Sequence, residues 1–169
     1  IRDRSRPLPF DINSVAATEL CPWRGRLLKG RVHDDNAYVL GGVAGHAGLF
    51  GTAAAVGTLL EHLLQAYHGD SDGPLSPAVV RYAWRRKGDT PHGLGFDFPA
   101  ATQSSAGGRF SFSSVGHLGF TGTSFWVDLP RRISVVLLTN RVHPTRYHCA
   151  IRQLRPLLHD AIMDALLQA

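Results

Sequence analysis

Helical periodicity is clearest between residues 53 and 67, where Val56, Leu59, Leu60, Leu63 and Leu64 recur on one face. Thr52 stands before this run as an N-cap, and Gly69 with the polar stretch to Pro74 ends it. Ser76 followed by Pro77 predicts a second, shorter helix reaching about residue 86, because proline suits the first helical position. Thr145 offers a cap for another short helix, and Pro156 starts or kinks a further one. In that last helix Leu157, Leu158, Ala161, Ile162, Ala165 and Leu166 form an apolar stripe suited to lying across a sheet.

Strand patterning is concentrated between residues 113 and 140. Residues 117–127, rich in Thr, Phe, Trp and Val, predict one strand, and Asp128-Leu129-Pro130-Arg131 predicts a turn in which Asp128 bonds the following amides. Residues 133–138 are a near-continuous apolar run, which predicts a central strand covered on both faces. Residues 93–98 alternate small and large side chains and predict a further strand. Residues 1–29, rich in Pro and Arg, read mostly as extended loop, since Pro22 disfavours helix before it. The fold class expected is α/β of the α+β type: an antiparallel sheet with packing helices.

Composition adds limits. The 169 residues suit one domain with a real core. The net charge is +5 and the pI near 9.8. The basic residues are scattered, however, with no run of five or six and no recognition module, so nucleic acid is not an expected partner. No segment has the ~18 apolar residues of a membrane span. Cys21 and Cys149 form neither a metal spacing nor a disulfide framework and read as buried thiols, or as a pair in an exported protein. The chain begins at Ile1, which suggests a piece of something longer.

Candidate chemistry is sparse. Residues 41–51 hold five glycines but lack the Gly-Lys-Ser/Thr ending of a phosphate loop, so they read as a loop packing under a cleft. His33 beside Asp34 and Asp35 reads as a hydrogen-bonded loop, because adjacent residues seldom converge on one ion. No His-Glu-x-x-His spacing occurs. His62, His68 and His159 lie on or beside predicted helices and read as surface residues. His117 differs: Gly116 and Gly119 bracket it, and glycine there lets another group approach the backbone.

Gly41-Gly42-Val43-Ala44-Gly45-His46-Ala47-Gly48-Leu49-Phe50-Gly51 with Thr52-Ala53-Ala54, together with His117-Leu118-Gly119-Phe120-Thr121-Gly122, resembles the serine β-lactamase-like hydrolases. That group includes class C β-lactamases, penicillin-binding proteins and related esterases. Thr18-Glu19 and Val32-His33-Asp34 resemble a subgroup with members fused to glycosidases. The likeness runs from about Thr18 to Leu167 and covers only the C-terminal half of the family's domain.

The family uses a Ser-x-x-Lys nucleophile, a Tyr-x-Asn or Ser-x-Asn motif, and a Lys-Thr-Gly type strand. The resemblance places His117-Leu118-Gly119 at the third motif. His117 would position or polarise substrate, and the Phe120 amide would hold the oxyanion, with Leu118 and Thr121 beside the substrate. Leu118 replaces the usual hydroxyl residue, which favours a plainer ester or amide over penicillin-like substrates. No serine in the sequence has lysine three positions on, and no tyrosine has asparagine two positions on. The resemblance therefore implies the C-terminal part of an acyl-transfer enzyme, inactive alone, needing no metal or organic cofactor. It further implies a small-molecule or peptidoglycan-like substrate, a periplasmic or extracellular setting, and an exposed apolar sheet edge or face where the missing half belongs, hence self-association. The rival expectation is a non-catalytic binding module of the same fold.

Overall fold

Pro22 keeps helix out of its surroundings. In the computed structural model, which describes residues 11–70 and 73–168, the chain there makes a small hairpin. Strands β1 (Leu20–Cys21) and β2 (Arg26–Leu27) pair antiparallel, Leu20 opposite Leu27, with Gly25 at φ 62° in the turn. A 3-10 turn at Ile12–Ser14 precedes them. Within the described residues the expected long loop is thus partly ordered; residues 1–10 of that expectation lie outside them.

The stretch after Val32 also departs from expectation. Asp34 caps a short helix α1 (Asp35–Val39), its carboxylate accepting from the Ala37 amide at 2.7 Å. The polar look of Asp34-Asp35-Asn36 was therefore a helix start as well as a loop signal. The glycine-rich segment behind it remains irregular. At Gly48 (φ 109°) a Cβ would come within 2.9 Å of the Gly42 carbonyl oxygen, so that crossing requires glycine. Cys21 is a buried free thiol, but Cys149 is exposed, correcting the expectation that both are buried.

These elements belong to one compact unit, Ile1–Gly51 with Thr139–Cys149; Thr52–Leu138 with Ala150–Ala169 form a second. In the second unit α2 (Ala53–His68) follows the predicted periodicity. Thr52 Oγ1 accepts from the Ala55 amide at 3.1 Å, and Gly69, at φ 84°, closes the helix. Helix α3 (Pro77–Ala83) opens on Pro77 as expected and stops before Trp84, short of residue 86.

Three strands follow: β3 (Val115–Leu118), β4 (Ser124–Asp128) and β5 (Ile133–Leu137), antiparallel in the order β3-β4-β5. The single strand expected over 117–127 is therefore two, folded back at residues 119–123. This makes β4 the central strand. β5, expected in the middle, pairs with β4 and with no second strand among the described residues. The expected strand at 93–98 reduces to Asp97, which exchanges both backbone bonds with Gly116 at 2.7 and 2.9 Å.

Period-2 alternation puts a core on each face of the sheet. Val115 and Val127, with Phe125 and Val136, pack against Leu60, Leu64, Val80 and Trp84 of α2 and α3. Trp126, Val135, Leu118 and Ile133 pack with Phe110 and Met163 on the other face. Met163 lies on α4 (Ile151–Leu167), a single helix that runs through Pro156. No helix capped by Thr145 precedes it. The predicted apolar stripe of α4 is not its buried face. Ile151, Arg155, His159 and Met163 are buried, while Leu157 and Leu166 are 69% and 50% exposed.

Asp128 behaves as expected and more. Fully buried, it accepts from the Arg131 amide at 3.2 Å and guanidinium at 2.7 Å, and from the Ser111 amide at 2.9 Å. Burial pushes its carboxyl up, but these bonds outweigh that and hold it below the ordinary value. Among the described residues no helix is long and apolar enough to cross a membrane.

Candidate functional site

β3 and the turn after it carry His117, Leu118, Gly119, Phe120 and Thr121, the residues that the resemblance assigns to the site. Register sets His117 opposite Phe125 and Leu118 opposite Ser124. The His117 side chain is exposed, on the face of Val115 and Phe125. Leu118 turns to the other face and joins the cluster of Trp126 and Met163. The glycines around His117 do allow close approach, but the approaching groups belong to the sheet itself. A Cβ at Gly116 would lie 2.4 Å from the Phe125 carbonyl oxygen and 2.5 Å from the Trp126 ring. One at Gly119 would lie 2.0 Å from Thr123 Oγ1.

Residues 119–123 form a closed turn. The Gly119 amide donates to the Thr123 carbonyl at 2.8 Å, and the Gly122 amide to the Gly119 carbonyl at 3.1 Å. Phe120 and Thr121 lie at its tip, Phe120 exposed and Thr121 half-buried. Beneath it stands a residue that sequence reasoning missed. Arg155, buried on α4, donates from Nη2 to the Gly119 and Thr123 carbonyls at 2.8 and 2.7 Å.

One helical turn further, His159 is fully buried rather than a surface residue. Its Nδ1–H donates to the Ser105 carbonyl at 3.0 Å, which leaves Nε2 to accept from the Ser124 hydroxyl at 3.3 Å. The ring is therefore the neutral Nδ1–H tautomer, and burial holds its pKa below the ordinary 6.5. The available signal was the i, i+4 spacing of Ile151, Arg155, His159 and Met163, hidden because two of the four are polar. On the outer edge of β3, Asp97 also meets His92, Oδ1 to Nδ1 at 2.8 Å, in an exposed pair.

The first unit has its own polar centre. Glu19, 2% exposed, accepts from Arg146 Nε and Nη2 at 2.8 and 2.6 Å and from His33 Nε2 at 3.1 Å. Arg146 also reaches Asp35 at 3.2 Å. Arg24 donates to the Val32 and His33 carbonyls at 2.8 and 3.0 Å, its guanidinium 4.1 Å from the Tyr38 ring centroid. His33 is thus a hydrogen-bonded residue, as read from the sequence. The Arg146 bonds hold the Glu19 carboxyl below its ordinary value, and burial holds His33 below 6.5.

A pH dependence follows. His33 and His159 bind protons more readily unfolded than folded, so stability is full above 6.5 and falls as pH drops through and below that value. Glu19, also depressed when folded, adds a further loss in the carboxylate range below 4.5. Thermal melts should therefore be flat above neutrality and decline in two stages on acidification. A melting temperature unchanged between pH 7 and 5 would overturn the assignment of buried neutral histidines.

The beta-lactamase family model matches residues 11–159. A putative D-alanyl-D-alanine carboxypeptidase of Escherichia coli K12 is 33% identical over 124 residues, covering 71% of this chain and 29% of that protein. A protein of the same description from Salmonella agona is 33% identical over 127 residues, with the same coverage of 71% and 29%. The crystal structure of a beta-lactamase from Mycobacterium bovis shares the fold, with a TM-score of 0.56 at 22% identity, over 70% of this chain and 46% of that one. The chain thus spans less than a third of the length of these curated relatives.

Proposed function

The chain belongs to the beta-lactamase family, and on that premise we propose that it forms one wall of a serine acyl-transfer site. The nucleophile in this reading comes from polypeptide outside these 169 residues, since no Ser-x-x-Lys occurs within them. The observation that carries the reading is the turn at 119–123. It is closed by its own backbone, held from below by Arg155, and entered directly from exposed His117.

In the proposed reaction a serine hydroxyl adds to the carbonyl carbon of an ester, amide or β-lactam. Its proton passes to a neighbouring base, and the carbonyl oxygen takes the negative charge. The Phe120 amide accepts that charge as a hydrogen-bond donor, a contribution of about 10²–10³ in rate for such donors. His117 polarises or positions the substrate, and Thr121 borders it. Collapse expels the leaving group, and water then cleaves the acyl-serine. Leu118 contributes backbone only, because its side chain is spent on the core and carries no hydroxyl. The carboxypeptidase description of the relatives favours a peptide amide of the peptidoglycan kind. The rest of the domain would cover the open edge of β5, and the chain alone would associate with itself there.

Intact mass after treatment with β-lactam and activated-ester probes tests this. An adduct is expected on a longer protein carrying the nucleophile segment, and none on this chain. An adduct on a serine of this chain would overturn the split site. Absence from both would favour a binding module of the same fold, as the missing hydroxyl at Leu118 would then suggest.

A further inference from the structure

The peptide between Gly119 and Phe120 contains both the carbonyl held by Arg155 and the amide proposed above as oxyanion donor. This bond is trans, so its C=O and N–H are coplanar and point in opposite directions. Whatever fixes one therefore aims the other. Arg155 approaches from α4, on the sheet face opposite His117, and its Nη2 bridges the Gly119 and Thr123 carbonyls. The turn has glycine at both 119 and 122, and glycine imposes little backbone preference of its own. Rotation of this one peptide, which would break both the Arg155 bond and the 3.1 Å bond from the Gly122 amide, would exchange carbonyl for amide at the site.

We infer that Arg155 is a positioning residue, which by capturing the Gly119 carbonyl directs the Phe120 N–H away from α4 and polarises it toward a developing oxyanion. A charged donor on the carbonyl strengthens the amide as a donor in turn, because hydrogen bonds through a peptide group reinforce one another. The guanidinium's two-carbonyl bridge also ties the first residue of the turn to the last, so the aim is held at both ends. The catalytic part of this inference rests on the oxyanion role proposed for Phe120; the aiming of the peptide does not.

The test compares the ¹⁵N-labelled chain with Arg155→Met and Arg155→Lys. In Arg155→Met the Phe120 amide proton should move upfield, and exchange at Gly119 and Gly122 should accelerate about tenfold or more, as for a locally opened segment. The Trp126 and Val127 amides of β4 should hold their rates. Arg155→Lys, which keeps the charge and reaches one carbonyl, should recover part of the shift and supplies the comparison if the methionine variant does not fold. An unchanged Phe120 resonance, or acceleration spread evenly over β3 to β5, would overturn the inference and leave Arg155 a packing residue. In a nucleophile-bearing protein, Arg155→Met should lower kcat about 100-fold with KM little changed, as for loss of an oxyanion donor. If the unsubstituted protein is not acylated, the oxyanion reading fails, while the Phe120 resonance still decides for or against Arg155.

Discussion

Replacing Glu19 by alanine destabilises the unit around β1 and β2 by about 3–5 kcal/mol, the usual result of removing one partner from a buried ion pair. The carboxylate is almost wholly inaccessible and accepts from three side-chain nitrogens of Arg146 and His33, plus the Arg146 amide at 3.2 Å. Its loss removes the acceptor of the buried His33 N–H and leaves the partly exposed Arg146 guanidinium to Asp35. It also loosens segments far apart in sequence, because Leu28 donates to the Glu19 carbonyl at 2.9 Å and Leu20 to the Pro144 carbonyl at 2.9 Å. The measurement is urea unfolding followed by hydrogen exchange at the Leu20 and Leu28 amides. A loss below about 1 kcal/mol would place the pair among ordinary surface bridges and refute the buried-network account.

Gly116→Ala should cost about 3 kcal/mol, at the upper end for overpacking a filled core. The added methyl meets a backbone carbonyl oxygen at 2.4 Å, and backbone gives way only if β3 separates from β4. Its other neighbour, the Trp126 ring, is 1% exposed and leans on Phe110 with ring centroids 6.3 Å apart. Relief therefore requires moving either the strand that carries His117 or the centre of the core under α4. Urea unfolding gives the loss, and near-ultraviolet dichroism reports whether the Trp126 environment shifts. A destabilisation under about 0.5 kcal/mol, ordinary for a surface site, would show that the sheet opens easily.

Helix α2 was legible because nothing in it conflicts: periodicity, the Thr52 cap and the Gly69 stop all agree. The β3–β4 reversal was not, because Phe120, Thr121 and Thr123 are strand formers and the turn is made by Gly119 and Gly122. β5 was placed at the centre for a different reason: its near-continuous apolar run read as a strand covered on both faces, whereas it lies beside β4 at the end of the order β3-β4-β5. The inward face of α4 was misread because periodicity counts apolar residues, and half of that face is arginine and histidine satisfied by carbonyls and a hydroxyl. Of the candidate site, the motif residues stood out in the sequence. Arg155 did not, since it lies 36 residues from Gly119 along the chain and has no pattern of its own.

The four buried positions of α4 amount to a key cut with unlike teeth. A helix seated only on leucines can slide by a turn and find an equivalent fit. Here a shift of four residues, about 6 Å along the axis, would put His159 under the Gly119 and Thr123 carbonyls and push Arg155 toward the seat of Ile151. Neither substitute fits well: an imidazole with one N–H cannot bridge two carbonyls, and a guanidinium would enter a buried seat now filled by an isoleucine. The two polar teeth thus set this register of α4 apart from those one turn away, and the turn at the sheet's tip supplies the lock for one of them.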